Sequence, residues 1–134
     1  MKPKFPFKKI FSLPLAVLAF HLLILLMGVY DFFPSMDIPM HFMGGFSAAW
    51  SFVFLIIFIR EEKIIGEMNP LVFFVFVVSL VSLTAVLWEF FEFGLDTFFN
   101  SHTQLSLRDT MGDLFFGLVG GVCGFLYIYP KALR

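Results

Sequence analysis

Four long apolar stretches, separated by short polar turns, make up most of the chain. They cover residues 10–30, 38–59, 71–92 and 109–129, called segments one to four below. Each stretch approaches the roughly 20 residues with which an α-helix crosses a hydrocarbon core of about 30 Å. Because the connections are short, we expect one transmembrane domain, 1–134, without a soluble module. The pattern predicts an all-α fold: a polytopic membrane protein with four transmembrane helices in a compact bundle.

Composition agrees with this interpretation. Hydrophobic residues make up 60% of the chain and charged residues only 14%, whereas soluble domains carry about 25% charged residues. The formal net charge is −1, and the basic residues flank the apolar segments. We therefore expect membrane lipid as a partner and no nucleic acid.

The basic residues predict an orientation. Eight of the nine Lys and Arg residues lie at the N-terminus, between segments two and three, or at the C-terminus, and Arg108 is the exception. Short loops rich in Lys and Arg stay in the cytoplasm. We expect both termini there, in a multi-pass protein of the plasma membrane.

Acidic residues gather at the opposite end of the segments. They form the windows Asp37-x-x-x-His41, Glu89-x-x-Glu92-x-x-x-Asp96 and Asp109-x-x-x-Asp113. Spacings of three, four and seven place each set on one helix face. Counted from the cytoplasmic ends at about 1.5 Å per residue, His41, Glu89 and Asp113 all lie at roughly 27–29 Å. Carboxylates near lipid are costly, so a matched group of them indicates a shared site.

Carboxylates with one imidazole suit a divalent cation such as Mg²⁺, Mn²⁺ or Ca²⁺, with Zn²⁺ and Fe²⁺ as alternatives. The predicted metal ligands are Asp37, His41, Glu89, Glu92 and Asp113. Such a metal could bind a lipid phosphate or activate water.

Two further residues have predicted roles at this site. Asp109, like Glu89, is a candidate catalytic residue, because a positioned carboxylate can act as a general base. Arg108 is the candidate substrate-binding residue, since a guanidinium can hold an anionic headgroup in a bidentate manner. Arg108 could instead pair with the acidic residues.

Helix capping is a competing explanation for part of the pattern. Asp37 and Asp109 could be N-terminal helix charges, with Ser35 and Ser106 as N-caps. Capping does not explain Glu89, which the pattern places at a helix C-terminal end, where the macrodipole disfavours it.

Two histidines and several glycines remain. His21, in the middle of segment one, is expected to be a hydrogen-bonded packing residue, and His102 is either a supplementary ligand or exposed. Glycines at four-residue spacing let another helix approach closely. They are Gly117, Gly120, Gly121 and Gly124 in segment four, and the pair Gly44 and Gly45 in segment two.

The order of these windows resembles the VanZ-like and YjdF-like bacterial membrane proteins. The corresponding stretches are Asp37-Ile-Pro-Met-His41-Phe, Trp88-Glu89-Phe-Phe-Glu92 and Arg108-Asp109-Thr-Met-Gly-Asp113. The chain departs from the VanZ-like pattern at Glu92 and Asp113, where that pattern often has Gln and Asn. VanZ-like proteins are associated with glycopeptide resistance at the cell envelope. The resemblance therefore implies an inner-membrane protein of the bacterial envelope.

The sequence leaves three hypotheses open. The leading one is that the cluster binds a divalent metal and binds or acts on an envelope lipid or lipid-linked substrate. An enzyme of this kind would be a metal-dependent hydrolase or transferase acting on a lipid phosphate. The second is a cation or proton transporter, which would need to be a homo-oligomer to form a path. The third is a structural or partner protein that tolerates Glu89→Gln and Asp113→Asn.

Overall fold

The computed structural model describes residues 5–101 and 103–133. Its five α-helices are α1 (Phe7–Leu26), α2 (Val29–Phe32), α3 (Asp37–Glu61), α4 (Pro70–Phe99) and α5 (Leu107–Ala132). A 3₁₀ turn, Pro34–Met36, leads directly into α3. Helices α1, α3, α4 and α5 are long and apolar enough to cross a membrane. The prediction of an all-α protein with four membrane-length helices is confirmed.

Two helix ends differ by four residues or more from the predicted boundaries. Helix α1 ends at Leu26 rather than at residue 30, because Gly28 adopts a left-handed conformation (φ 66°) that breaks the helix. Helix α4 continues past residue 92 to Phe99 and ends at Asn100, which is also left-handed (φ 55°). Glu89 therefore lies inside a helix. The prediction that it lies at a helix C-terminal end is wrong, and the macrodipole, which acts within the last turn, does not disfavour it.

Helix α3 lies at the centre of the bundle. It packs against α5 and α1, while α4 packs mainly on α5. The apolar core lies in the half of the bundle far from the acidic windows. It comprises Ala49, Val53, Ile56, Phe73, Val77, Val81, Phe125 and Ile128. Many large apolar side chains, Phe90 and Phe93 among them, face outward, as expected for helices surrounded by lipid.

Glycines set the close contact between α3 and α5. A Cβ on Gly45 would collide with the carbonyl of Gly117, and one on Gly120 would collide with the carbonyl of Phe42. Close packing is therefore confirmed for Gly45. It is wrong for Gly44, where an added Cβ would meet no atom within 4 Å.

Helix α1 is hydrogen-bonded to α3 one turn before a proline in α1. Pro14 lies inside α1 and has no N–H to donate to the carbonyl of Ile10. The Ser51 hydroxyl of α3 donates to that carbonyl instead, at 2.6 Å. The indole of Trp50 donates to the neighbouring Lys9 carbonyl, also at 2.6 Å. Two side chains of α3 thus satisfy the backbone groups next to the proline.

Candidate functional site

The five predicted metal ligands come together at one end of the bundle. This carboxylate–histidine cluster consists of Asp37 and His41 from α3, Glu89 and Glu92 from α4, and Asp113 from α5. One ligand atom from each of Asp37, His41 and Asp113 lies within 4.8 Å of the others. The same holds for His41, Glu89 and Glu92, so the imidazole belongs to both sets.

Helical spacing and the glycine contact together explain this geometry. Asp37 and His41 are one turn apart on α3, and their Oδ1 and Nε2 atoms are 3.3 Å apart. Gly45 and Gly117 each follow one turn after His41 and Asp113, so the closest approach of α3 and α5 lies beside the cluster. The Nε2 atom of His41 is 3.8 Å from Oδ1 of Asp113.

Three of the carboxylates are buried. The exposed fraction is 6% for Glu89, 9% for Glu92 and 4% for Asp113. Across 5–101 and 103–133, no Lys or Arg lies within ion-pair distance of any of them. A buried carboxylate without a counter-charge costs several kcal/mol. The cluster therefore requires protons or a bound cation to neutralise part of its charge.

Two residues that the sequence interpretation did not assign hold the glutamates. The indole Nε1 of Trp88 donates to Oε1 of Glu92 at 2.8 Å. The amide of Gln104 donates to Oε2 of Glu89 at 2.9 Å and to the Glu89 backbone carbonyl at 3.0 Å. Each contact fixes one oxygen of a candidate ligand, as groups around metal sites do. For Gln104, the signal available in the sequence was a polar residue in the loop shortly before the start of α5.

Asp96 explains how Gln104 reaches the cluster. Its carboxylate accepts hydrogen bonds from the backbone N–H of Thr103 at 2.7 Å and of Gln104 at 2.8 Å. It also accepts from the hydroxyls of Ser101 and Thr103. These bonds fold the loop back over the end of α4. Asp96 is therefore a loop-forming residue and is not in either ligand set.

Asp37 and Asp109 both lie in the first turn of a helix, as the capping hypothesis predicted, but a serine N-cap is present only on α5. Ser106 accepts a hydrogen bond from the Asp109 backbone at 3.2 Å, and the Asp109 carboxylate accepts one from the Leu105 backbone at 3.2 Å. Asp109 thus caps α5 and lies outside both ligand sets. Ser35 does not cap α3, because that helix begins from the preceding 3₁₀ turn with no side-chain cap.

The remaining predicted residues are not drawn into the cluster. Arg108 is exposed, and no carboxylate in the described part of the chain lies within 4.0 Å of it. Its predicted pairing with the acidic residues is therefore not formed there. His102 lies outside the described residues.

His21 is hydrogen-bonded, as predicted. Its Nδ1 lies 2.9 Å from the Tyr30 hydroxyl, and its ring packs edge-on against Trp88 with centroids 5.6 Å apart. Burial raises the pKa of Tyr30, so this phenol stays neutral. His21 also lines a cavity of about 260 Å³, whose wall includes His41.

The comparisons with known proteins assign a family. A family model described as "Predicted membrane protein (DUF2238)" matches residues 1–132. No curated protein and no solved structure matches the chain. The resemblance to VanZ-like proteins stays a prediction, because the matched family carries only that general description. The chain belongs to the DUF2238 family of predicted membrane proteins.

Proposed function

We propose that the carboxylate–histidine cluster binds a divalent metal ion and, through it, the phosphate of an envelope lipid. The observation that carries the proposal is the convergence of four carboxylates and one imidazole from three helices. Cytoplasmic termini, with the cluster at the outer face of a bacterial inner membrane, belong to the same proposal. Its basis is the distribution of Lys and Arg.

The spacing of the ligand atoms supports a metal. Oxygen ligands at about 2.0–2.6 Å from one ion are at most about 4–5 Å apart. The ligand atoms of each set lie within 4.8 Å of one another. Each set therefore has the spacing expected of ligands around one ion. A divalent cation would also offset the repulsion among the buried carboxylates.

The surroundings support a phosphate as the group that the metal binds. Arg108 lies in the first turn of α5, about one turn and a half before Asp113. It is exposed and has no acidic partner among the described residues. A guanidinium in this state can bind two oxygens of a phosphate. The metal would neutralise the phosphate and polarise it for hydrolysis or transfer.

No observation favours the transport alternative over this one. The cavity next to His41 is lined mostly by apolar and small residues. No Asp, Glu, Lys or Arg among the described residues lines it. Ion pathways through membranes are usually marked by such residues.

Elemental mass spectrometry of detergent-purified protein tests the metal site. We expect near-stoichiometric metal in the wild type after incubation with Mg²⁺, Mn²⁺, Ca²⁺ or Zn²⁺ followed by desalting. The Glu89→Gln/Asp113→Asn variant should lose it, because two anionic ligands become neutral amides with little change in volume.

The matched control is Asp31→Asn, which removes an exposed carboxylate at the same end of the bundle. This variant should retain the metal. Equal metal content in the double variant and the wild type would refute the assignment of the ligands. A wild type that binds none of the four ions would refute the metal site itself.

A further inference from the structure

A half-enclosed cavity leads from the cluster into the bundle. It lies between α1 and α4, with α3 as its floor, and has a volume of about 260 Å³. Its wall contains the His41 side chain, so the cavity begins at the cluster itself. The binding of metal and phosphate proposed above does not use this cavity.

The length of the cavity follows from the residues that line it. They run from His21 to Pro14 on α1 and from Trp88 to Val81 on α4. Seven residues of helix correspond to roughly 10 Å along the axis. The cavity thus extends about 10 Å from the cluster towards the middle of the membrane-length helices.

Small residues create the space. On the floor, Gly44 and Ala48 stand where larger side chains would fill it, and Ala85 does the same on α4. An added Cβ at Gly44 would meet no atom within 4 Å. Gly44 is therefore not needed for helix packing, and its lack of a side chain keeps the cavity open.

One side of the cavity faces the surroundings of the bundle. Helices α1 and α4 do not pack along each other, since α1 is attached to α3 and α4 mainly to α5. The His21 ring meets Trp88 near the cluster. Below that contact the gap opens sideways, at a depth where hydrocarbon chains surround a membrane protein.

We propose that this cavity binds one hydrocarbon chain of a phosphate lipid whose headgroup lies at the cluster. The inference rests on the proposed function, which it extends from the phosphate to the chain of the lipid. The cavity has a volume of about 260 Å³ and a length of about 10 Å. Non-bonded carbons approach to about 4 Å, so this space can hold an extended chain of several carbons. The chain enters from the membrane between α1 and α4, and its far end remains in lipid.

Photo-crosslinking tests this assignment. The probe is a lysophosphatidic acid with a diazirine in its acyl chain, incorporated with the purified protein into phosphatidylcholine vesicles. Mass spectrometry of the peptides should place the label on cavity residues such as Leu18, Ala48 and Ala85.

Gly44→Leu fills the cavity and should abolish labelling of these residues. The matched control is Gly94→Leu, at another helical glycine with no atom within 4 Å of an added Cβ, which does not line the cavity. Equal labelling of the two variants would overturn the inference. So would wild-type label confined to outward-facing residues such as Phe90. The wild-type pattern decides the matter even if Gly44→Leu does not fold.

Metal content, measured on the same samples, separates this inference from the proposed function. A wild type that binds metal without labelling in the cavity would overturn the chain site and leave the metal site. Labelling that depends on Gly44 in a protein that binds no metal would overturn the metal site and leave the chain cavity.

Discussion

His41 is the residue on which the two ligand sets converge. Its Nε2 lies 3.3 Å from Asp37 and 3.8 Å from Asp113, and its ring also has a ligand atom within 4.8 Å of both glutamates. Candidate ligands on three helices therefore meet at one imidazole. Their individual contributions can be separated only by comparing stability with and without metal.

We predict that substitutions of two carboxylates on α4 change the midpoint of thermal unfolding in different ways. Glu89→Gln should leave the metal-free midpoint of thermal unfolding unchanged or higher, because it removes a buried charge. It should also abolish the metal-dependent rise of the wild-type midpoint, which corresponds to about 2.7 kcal/mol of unfolding free energy at 100 times the Kd. Asp96→Asn should lower the midpoint in both states, because the loop loses charge-assisted hydrogen bonds to the Asp96 carboxylate.

Thermal unfolding in detergent, with and without the bound metal, measures both variants. Asp96→Asn should keep the full metal-dependent increase. An undiminished increase in Glu89→Gln would exclude Glu89 as a ligand.

The residue pattern predicted the members of the cluster but not the hydrogen bond from Gln104 to Glu89. Asp37, His41, Glu89, Glu92 and Asp113 could be grouped because helical spacing and membrane depth are local properties of the sequence. Gln104 could not be added to them. Its position depends on the loop that Asp96 folds back. A contact of this kind has no helical spacing in the sequence from which it could be predicted.

At the scale of elements, small residues decide how closely the helices pack. Gly45, Gly120 and Gly124 let the backbones of α3 and α5 approach closely, because a Cβ on each would collide with a carbonyl of the other helix. Gly44 looks equivalent to Gly45 in sequence, yet an added Cβ on Gly44, as on Gly112, would meet nothing within 4 Å. A glycine spacing predicts close packing of a helix. It does not identify which glycine faces the partner, because that depends on how the two helices are rotated.

Alanine substitutions should distinguish these two kinds of glycine. Gly120→Ala places a Cβ against the Phe42 carbonyl and should destabilise the protein by about 1–3 kcal/mol through overpacking. Gly112→Ala should be neutral or stabilising by up to about 1 kcal/mol, because alanine is the better helix former. Unfolding in a denaturing detergent would measure the difference. Equal stability of the two variants would contradict the assigned α3–α5 contact.

The four membrane-length helices were predictable because length and hydropathy are summed over many residues. Two ends were not. Helix α1 stops early because Gly28 adopts a left-handed conformation, and α4 runs on to Asn100. The apolar segment was expected to end at residue 92, but α4 continues to Phe99, and Asp96 binds the loop that follows.

For the whole molecule, the arrangement of charge predicts one orientation in the membrane. The loop between α3 and α4 carries basic residues, whereas the cluster lies at the other end. If the loop is cytoplasmic, the cluster faces the outside of the cell, where envelope lipids are accessible.

Cysteine accessibility tests this orientation. In a Cys123→Ala background, a cysteine at Leu105, which is 69% exposed, should react with a membrane-impermeant maleimide in intact spheroplasts. A cysteine at Gly66, in the loop between α3 and α4, should react only after the membrane is permeabilised. The reverse result would place the cluster in the cytoplasm and remove extracytoplasmic lipids from consideration.

We expect any rotation of α3 against α5 to pivot at the contact between Gly45 and Gly117, which lies close to the cluster. His41 and Asp113 are each four residues from it, about 6 Å along the axis, whereas Glu61 is 16 residues away, about 24 Å. If the helices rotate by about 10° about this pivot, the far ends move by about 4 Å and the cluster by about 1 Å. Changes in bilayer thickness that tilt the helices should therefore leave the separation of His41 and Asp113 nearly constant. The short lever arm keeps the ligands in register while the rest of the bundle adapts to the membrane.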